Sequence, residues 1–283
     1  MRRIQKKVQT AVNPDHGDQA SLAEPSQARD QTAASSFAAA GDEALSIPAR
    51  LTLGETFRID KGLVRRLRLR EVNAKEAFTI RDASGDYFRA SLKEWDERNG
   101  MALTYERMEG SPEPAIDITL ACAVLARQRM HFVVQKATEL GVRRIVPLLT
   151  DHSVPADGLA QEQAHAWAGH IARAARQCRR ASLPELIAPM GLYNFLASTV
   201  FTAADLCLYL DDRGESAALD PAGPKRIVLI TGPEGGYSDA ERAKLAGTAR
   251  AWVFGGRVLR AETAVVAGLT VVQMRWGDFK QTF

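Results

Sequence analysis

Ile227-Val-Leu-Ile-Thr-Gly-Pro-Glu-Gly-Gly-Tyr237 and Phe254-Gly-Gly-Arg-Val-Leu-Arg-Ala-Glu-Thr-Ala264 are built alike. Each runs from apolar residues through a glycine-rich bend into polar residues that open a helix. Open α/β sheets bind small ligands at such strand-to-helix bends, where glycine lets a ligand approach the backbone closely. Two bends this close in sequence are expected to be neighbours at one edge of a sheet. In Thr231-Gly-Pro-Glu-Gly-Gly236, Pro233 fixes the chain direction and Gly235-Gly236 permits positive φ.

Working outward, apolar strands alternate with helical segments. Ile116–Val124, Arg144–Leu149, Leu206–Leu210, Ile227–Ile230 and Trp252–Phe254 read as strands of the kind a parallel sheet buries. Helices are expected at Met130–Leu140, ended by Gly141, at about Ala160–Cys178, after the capping box Ser238-Asp-Ala-Glu241, and from about Glu262 to Trp276. The fold class is therefore α/β with a parallel sheet covered by helices.

Before this lies a different pattern. Ala77–Ile80, Tyr87–Leu92 and Met101–Tyr105 alternate like half-buried strands, with turns at Ser84-Gly85 and Asn99-Gly100. They mark a small β-rich domain at 46–110, and Gly110-Ser-Pro-Glu-Pro114 reads as a linker to a second domain at 115–283. Lys61–Arg70 is a basic run without a carboxylate; it is either a solvated helix face or a surface for phosphate. Residues 1–45 hold few large apolar side chains after Val12 and are expected to be flexible.

Composition narrows the class. The chain has 283 residues, 46% of them hydrophobic and 25% charged, and a net charge of +3. No apolar run approaches about 18 residues, so no transmembrane helix is expected. Three dispersed cysteines, Cys122, Cys178 and Cys207, suggest reduced thiols in the cytoplasm rather than a disulfide framework. The histidines form no metal-ligand set, so no metal is expected. Neither a Gly-x-Gly-x-x-Gly nor a P-loop is present, which disfavours dinucleotide and P-loop chemistry.

The pairing of Gly232-Pro-Glu-Gly-Gly236 with Gly256-Arg-Val-Leu-Arg-Ala-Glu-Thr-Ala264 resembles the RsmE family of ribosomal RNA methyltransferases, in the SPOUT superfamily. Gln128-Arg-Met130, Gln135-Lys-Ala-Thr-Glu-Leu-Gly-Val142, Pro147, Gln177 with Arg180, Pro184 and Gly277-Asp278 extend the likeness from about Ile116 to Phe279. The resemblance implies a trefoil-knotted methyltransferase domain, a PUA-like N-terminal domain, a homodimer, and S-adenosyl-L-methionine-dependent methylation of uridine N3 in 16S rRNA.

It also implies roles. Leu210 and the stretch after it, Thr231, Gly232, Pro233, Glu234, Gly235 and Gly236, and Phe254, Gly255, Val258, Leu259, Arg260, Ala261, Thr263 and Ala264 would hold the cofactor. Arg260 would stabilise charge on the base, with Arg180 a second candidate and Glu262 an orienting or catalytic carboxylate. Arg65, Arg66, Arg68, Arg70, Arg129, Lys136, Arg173 and Arg176 would contact RNA. The sequence departs from the family where Arg173 replaces a glutamate and Thr150-Asp-His-Ser153 replaces Thr-Glu-Arg-Ser. A catalytically silent RNA-binding or ribosome-assembly factor of the same fold, and a methyltransferase acting on tRNA, are the rival readings.

Overall fold

The structure is a computed structural model that describes residues 43–216 and 223–279. Up to residue 42, the segment read as flexible lies outside the described residues.

The first unit is an antiparallel sheet with one helix: β1 (Thr56–Ile59), α1 (Lys61–Leu69), β2 (Ala77–Arg81), β3 (Tyr87–Trp95) and β4 (Gly100–Arg107), in the order β1-β4-β3-β2. The basic run is thus helical. Asp60 caps it by accepting from Leu63 N at 2.8 Å, and Leu63, Val64 and Leu67 are its buried face. Each such burial is worth about 2 kcal/mol. Gly100 belongs to β4, and the preceding turn is held by Asp96, whose Oδ1 accepts from Asn99 N at 2.7 Å.

The second unit follows in chain order as β5 (Asp117–Ala123), α2 (Arg127–Glu139), β6 (Arg144–Leu149), α3 (Trp167–Gln177), β7 (Glu185–Leu186), β8 (Met190–Gly191), α4 (Leu192–Leu196), α5 (Thr199–Thr202), β9 (Leu206–Asp211), β10 (Arg226–Thr231), α6 (Asp239–Ala246), β11 (Arg250–Val253) and α7 (Ala261–Trp276). Its seven strands are parallel, in the order β11-β9-β10-β5-β6-β7, with β8 also on β6. Ile118, Leu120, Leu229 and Leu208 are fully buried in the sheet, as continuous apolar strands require.

Two expectations need correction. The bends after β10 and β11 do not end adjacent strands, because β9 pairs with both β10 and β11 and lies between them. Nor does a helix start near Ala160: Gln163 has a left-handed φ of 54°, which breaks the path into short 3-10 turns before α3 begins at Trp167.

The units are joined by a hydrogen-bonded seam rather than a loose linker. Residues 43–45, counted with the flexible segment, are built into it: Leu45 is 1% exposed and its N–H donates to Ala181 O at 2.9 Å. Glu113, inside the expected linker, accepts from the backbone N–H groups of Ala181 and Ser182 at 2.8 Å.

A cavity at the carboxyl ends of the parallel strands

The C-terminal ends of β9, β10 and β11 open into one cavity of about 660 Å³, the size usual for a small-molecule site. It receives Leu210, Thr231, Gly232, Pro233, Glu234, Gly235, Gly236, Phe254, Gly255, Val258, Leu259, Arg260, Ala261 and Ala264, together with Glu262. Thr263 is not brought to it. In the first turn of α7, Ala261 and Ala264 share a face three residues apart, and Thr263 points outward and exposed.

The bend after β10 is held by what surrounds it. A Cβ on Gly232 would lie 3.1 Å from Tyr237 Cζ, and one on Gly235 would lie 3.0 Å from His152 Cβ, so a side chain at either site would press on its neighbour. Gly236 has φ 71°, a conformation that L-residues rarely adopt. Ser238 and Glu241 form the expected capping box, worth about 1 kcal/mol. Glu241 is buried and also accepts from Asp151 N at 2.9 Å, while His152 Nδ1 lies 3.0 Å from Gly236 O. The departure from the family at Thr150–Ser153 therefore buttresses this bend.

The electrostatics are concentrated at the walls. Arg242 and Asp211 pair at 2.7 Å. Burial would raise the Asp211 carboxyl, but hydrogen bonding and charge from Arg242 outweigh it and hold it below its ordinary value. Burial pushes the Tyr237 phenol well above its ordinary range, with nearby acids adding to the shift. Tyr237 and Arg242 are site residues that sequence reasoning missed; the only signal was their place just after the glycine bend. Arg129, expected on RNA, lies in the cavity instead, with Nη1 2.6 Å from Glu234 and Nε 3.9 Å from Glu262.

Arg180 is not brought to this site. It is 7% exposed, pairs with Glu113 at 3.1 Å, and donates to Thr138 O at 3.1 Å and Val142 O at 2.8 Å. All of this lies on the seam, away from the cavity at the strand ends.

The arginines expected on RNA are mostly committed within the fold. Buried Arg70 donates to Ala181 O at 2.5 Å and Arg66 to Ala44 O at 3.1 Å. Arg68 stacks over Trp95 at 5.1 Å. Arg173 pairs with Glu71 at 3.1 Å and Arg176 with Glu76 at 3.3 Å, tying α3 to the first unit. Lys136 pairs with Glu139 on its own helix at 2.8 Å. Arg65 remains exposed, without a side-chain partner among the described residues.

Comparison with known proteins agrees with this geometry. A family profile described as an RNA methyltransferase domain matches residues 111–273. Ribosomal RNA small subunit methyltransferase E of Mesomycoplasma hyopneumoniae is 29% identical over 168 residues, covering 58% of this chain and 73% of that protein. The crystal structure of a ribosomal RNA small subunit methyltransferase E from Neisseria gonorrhoeae bound to S-adenosyl methionine is similar with a TM-score of 0.59 at 28% identity, covering 83% of this chain and 98% of that one. A methyltransferase from Legionella pneumophila in complex with the bound cofactor SAM gives a TM-score of 0.61 at the same 28% identity and the same coverage of 83% and 98%. With the profile spanning more than half of the chain and its relatives bearing that one name, the chain belongs to the RNA methyltransferase domain family, in its RsmE group.

Proposed function

We propose that this protein transfers the methyl group of S-adenosylmethionine to N3 of one uridine in the 16S rRNA of the small ribosomal subunit. The observation that carries the reading is the convergence of three strand-end loops on one cavity that holds both the Gly232–Gly236 bend and the Arg260–Glu262 segment.

The residues present fit the cofactor. A Cβ at Gly236, Gly255 or Gly256 would meet no protein atom within 4 Å, so these bends leave backbone open to a ligand. Leu210, Pro233, Phe254 and Leu259 offer apolar wall for a flat base, and Glu234 and Glu262 offer acceptors for a cationic group. When bound, the cofactor supplies a methyl group already activated on a sulfonium.

The side chains then have two tasks: to align uracil N3 with that methyl, and to favour the deprotonated imide. Negative charge develops over N3, O2 and O4. Arg260, the exposed N-cap residue of α7, has no side-chain partner among the described residues and is placed to meet it. The positive end of the α7 dipole acts in the same direction. Affinity for RNA comes from exposed cations such as Arg65, while recognition comes from folded shape.

The finer points belong to the same proposal. The antiparallel unit serves as a PUA-like RNA-binding domain, and the parallel sheet is closed as a trefoil knot; the seating of β9 between β10 and β11 supports such a closure. A homodimer is supported by Phe132 on α2 and Met274 on α7, exposed by 40% and 42% on helices that pack together. No helix among the described residues is long and apolar enough to cross a membrane. We place the protein in the cytoplasm, with ribosomal subunits.

The test is transfer of labelled methyl from S-adenosylmethionine to small subunits from a strain lacking this protein. Label at N3 of a single 16S uridine is the expected result. Label in tRNA, or cofactor binding with no transfer to any RNA, would overturn it in favour of a tRNA enzyme or a silent factor. Arg260→Ala is expected to keep cofactor affinity and to lower turnover about a hundredfold.

A further inference from the structure

We infer that Arg129 is a positioning residue, which ties the bend after β10 to the first turn of α7 and leaves one oxygen of Glu262 as the acceptor for an N–H donor of the ligand. This rests on the reading of the cavity as the methyl-transfer site.

The geometry joins two walls through one guanidinium. Nη1 donates to Glu234 Oε1 at 2.6 Å, and Nε lies 3.9 Å from Glu262 Oε1. Glu234 lies in the bend after β10 and Glu262 in the first turn of α7, so the arginine bridges two separate walls. Glu262 is only 16% exposed in its side chain, and its Oε2 is buried without a hydrogen-bond partner. A buried carboxylate oxygen without a donor is costly, and in a binding cavity the missing donor belongs to the ligand.

The helix beneath gives an independent argument. Arg129 stands in the first turn of α2, which has no acidic residue there and no side-chain cap at Ala126. The positive end of the dipole disfavours a cation at that place. A residue serving the helix would be an aspartate or glutamate, so this one serves what it faces. An ordinary surface ion pair joins one acid to one base and contributes at most about 1 kcal/mol; here a single base faces two acids that line one cavity, one hydrogen-bonded and one at 3.9 Å.

Three ligand groups carry such an N–H: the amino group of the cofactor's methionine portion, the N6 amino group of its adenine, and the uracil imide. They are separated by measuring binding as well as turnover. Calorimetry with S-adenosylhomocysteine and with 5′-methylthioadenosine, which lacks the amino acid portion, is run on the wild type, Arg129→Ala, Arg129→Lys and Glu262→Gln, alongside kcat and KM for RNA. The expected result is a loss of about tenfold or more in Arg129→Ala, with melting temperature within about 4 °C of wild type and partial rescue by lysine. Loss of S-adenosylhomocysteine binding alone assigns the amino group of the amino acid portion; an equal loss for 5′-methylthioadenosine assigns the adenine N6; unchanged binding with reduced kcat assigns the imide. Arg129→Ala matching wild type in both binding and kcat overturns the inference, as does a loss that tracks the melting temperature and is not rescued by lysine. A wild type that neither binds S-adenosylhomocysteine nor transfers methyl would instead overturn the function proposed above.

Discussion

Arg242 Nε donates to Asp211 Oδ2 at 2.7 Å and its Nη2 to Oδ1 at 3.2 Å, a two-pronged pair joining the end of β9 to the helix that follows β10. The Asp211 side chain is 3% exposed and that of Arg242 21%. Such a pair resists the separation of two neighbouring cavity walls.

Removing Asp211 takes away the two-pronged partner of Arg242, which is left with Asp212 and Asp239 at about 4 Å. Asp211→Asn is expected to lower unfolding free energy by about 2 kcal/mol at neutral pH, read from urea denaturation. The pH dependence follows from its depressed acidity. A carboxylate whose folded pKa lies below its unfolded value adds stability above the unfolded value and loses it as pH falls through the folded one. The Asp211 contribution is complete above its ordinary 3.8 and disappears on acidification below it. The variant should show a shallower loss of stability in that acid window. Equal slopes would contradict the assignment.

Tyr237 offers a test in the opposite direction. Its hydroxyl is buried without a partner, while its ring packs against Gly232. Tyr237→Phe is expected to leave the ligand-free protein as stable as wild type, or slightly more so, because an unsatisfied polar group is removed. Gly232→Ala should cost about 2 kcal/mol by driving a methyl into that ring. Thermal unfolding of the two variants side by side decides it, and a clear drop in Tyr237→Phe would show that the hydroxyl is satisfied.

Arg180 and Arg260 are expected to separate cleanly. Arg180→Ala removes the counter-charge of Glu113, which keeps its bonds from Ala181 and Ser182, and takes a donor from the carbonyls of Thr138 and Val142; it should cost about 3 kcal/mol of stability. Turnover per folded molecule should stay near wild type at a temperature where the variant is folded. Reduced turnover at full stability would restore a role for Arg180 in the reaction.

Arg65 and Arg176 differ in the same way with respect to RNA. Arg65→Ala should weaken RNA binding and reduce the salt slope of log affinity by about 1, as loss of one phosphate contact does. Arg176→Ala should lower stability, since it holds Glu76 and the carbonyl oxygens of Arg70 and Glu71, with little change in the slope. Filter binding across a range of salt concentrations reads both.

The strands of the parallel sheet and the capping box at Ser238 were legible in the sequence because their signals are local: continuous apolar runs, a serine three residues before a glutamate, glycines at a bend. The seat of β9 between β10 and β11 was not, since strand order is set by packing among segments distant in the chain. The true start of α3 was hidden by one left-handed residue, Gln163, at which sequence shows only an ordinary polar position. The arginines illustrate the limit most plainly. Their positive charge is visible in the sequence, yet Arg70 and Arg180 turn it inward to carbonyls and a carboxylate from remote segments. Arg260, by contrast, was legible through its motif, and it lies at the cavity.

The seam around Leu45 and Glu113 has a practical meaning for chimeras. Leu45 donates its N–H to Ala181 and accepts from Arg81 N at 2.8 Å, so one short strand of chain is mortared to both units. A graft that exchanges the antiparallel unit at the apparent boundary near Gly110 would carry Leu45 and Arg70 without Ala181, and would leave both facing a foreign surface. Recipients should instead keep residues 43–47 and 111–117 as their own and exchange only the solvent face of the sheet. Any transplant of RNA specificity between relatives of this protein has to be made as a veneer, not as a module.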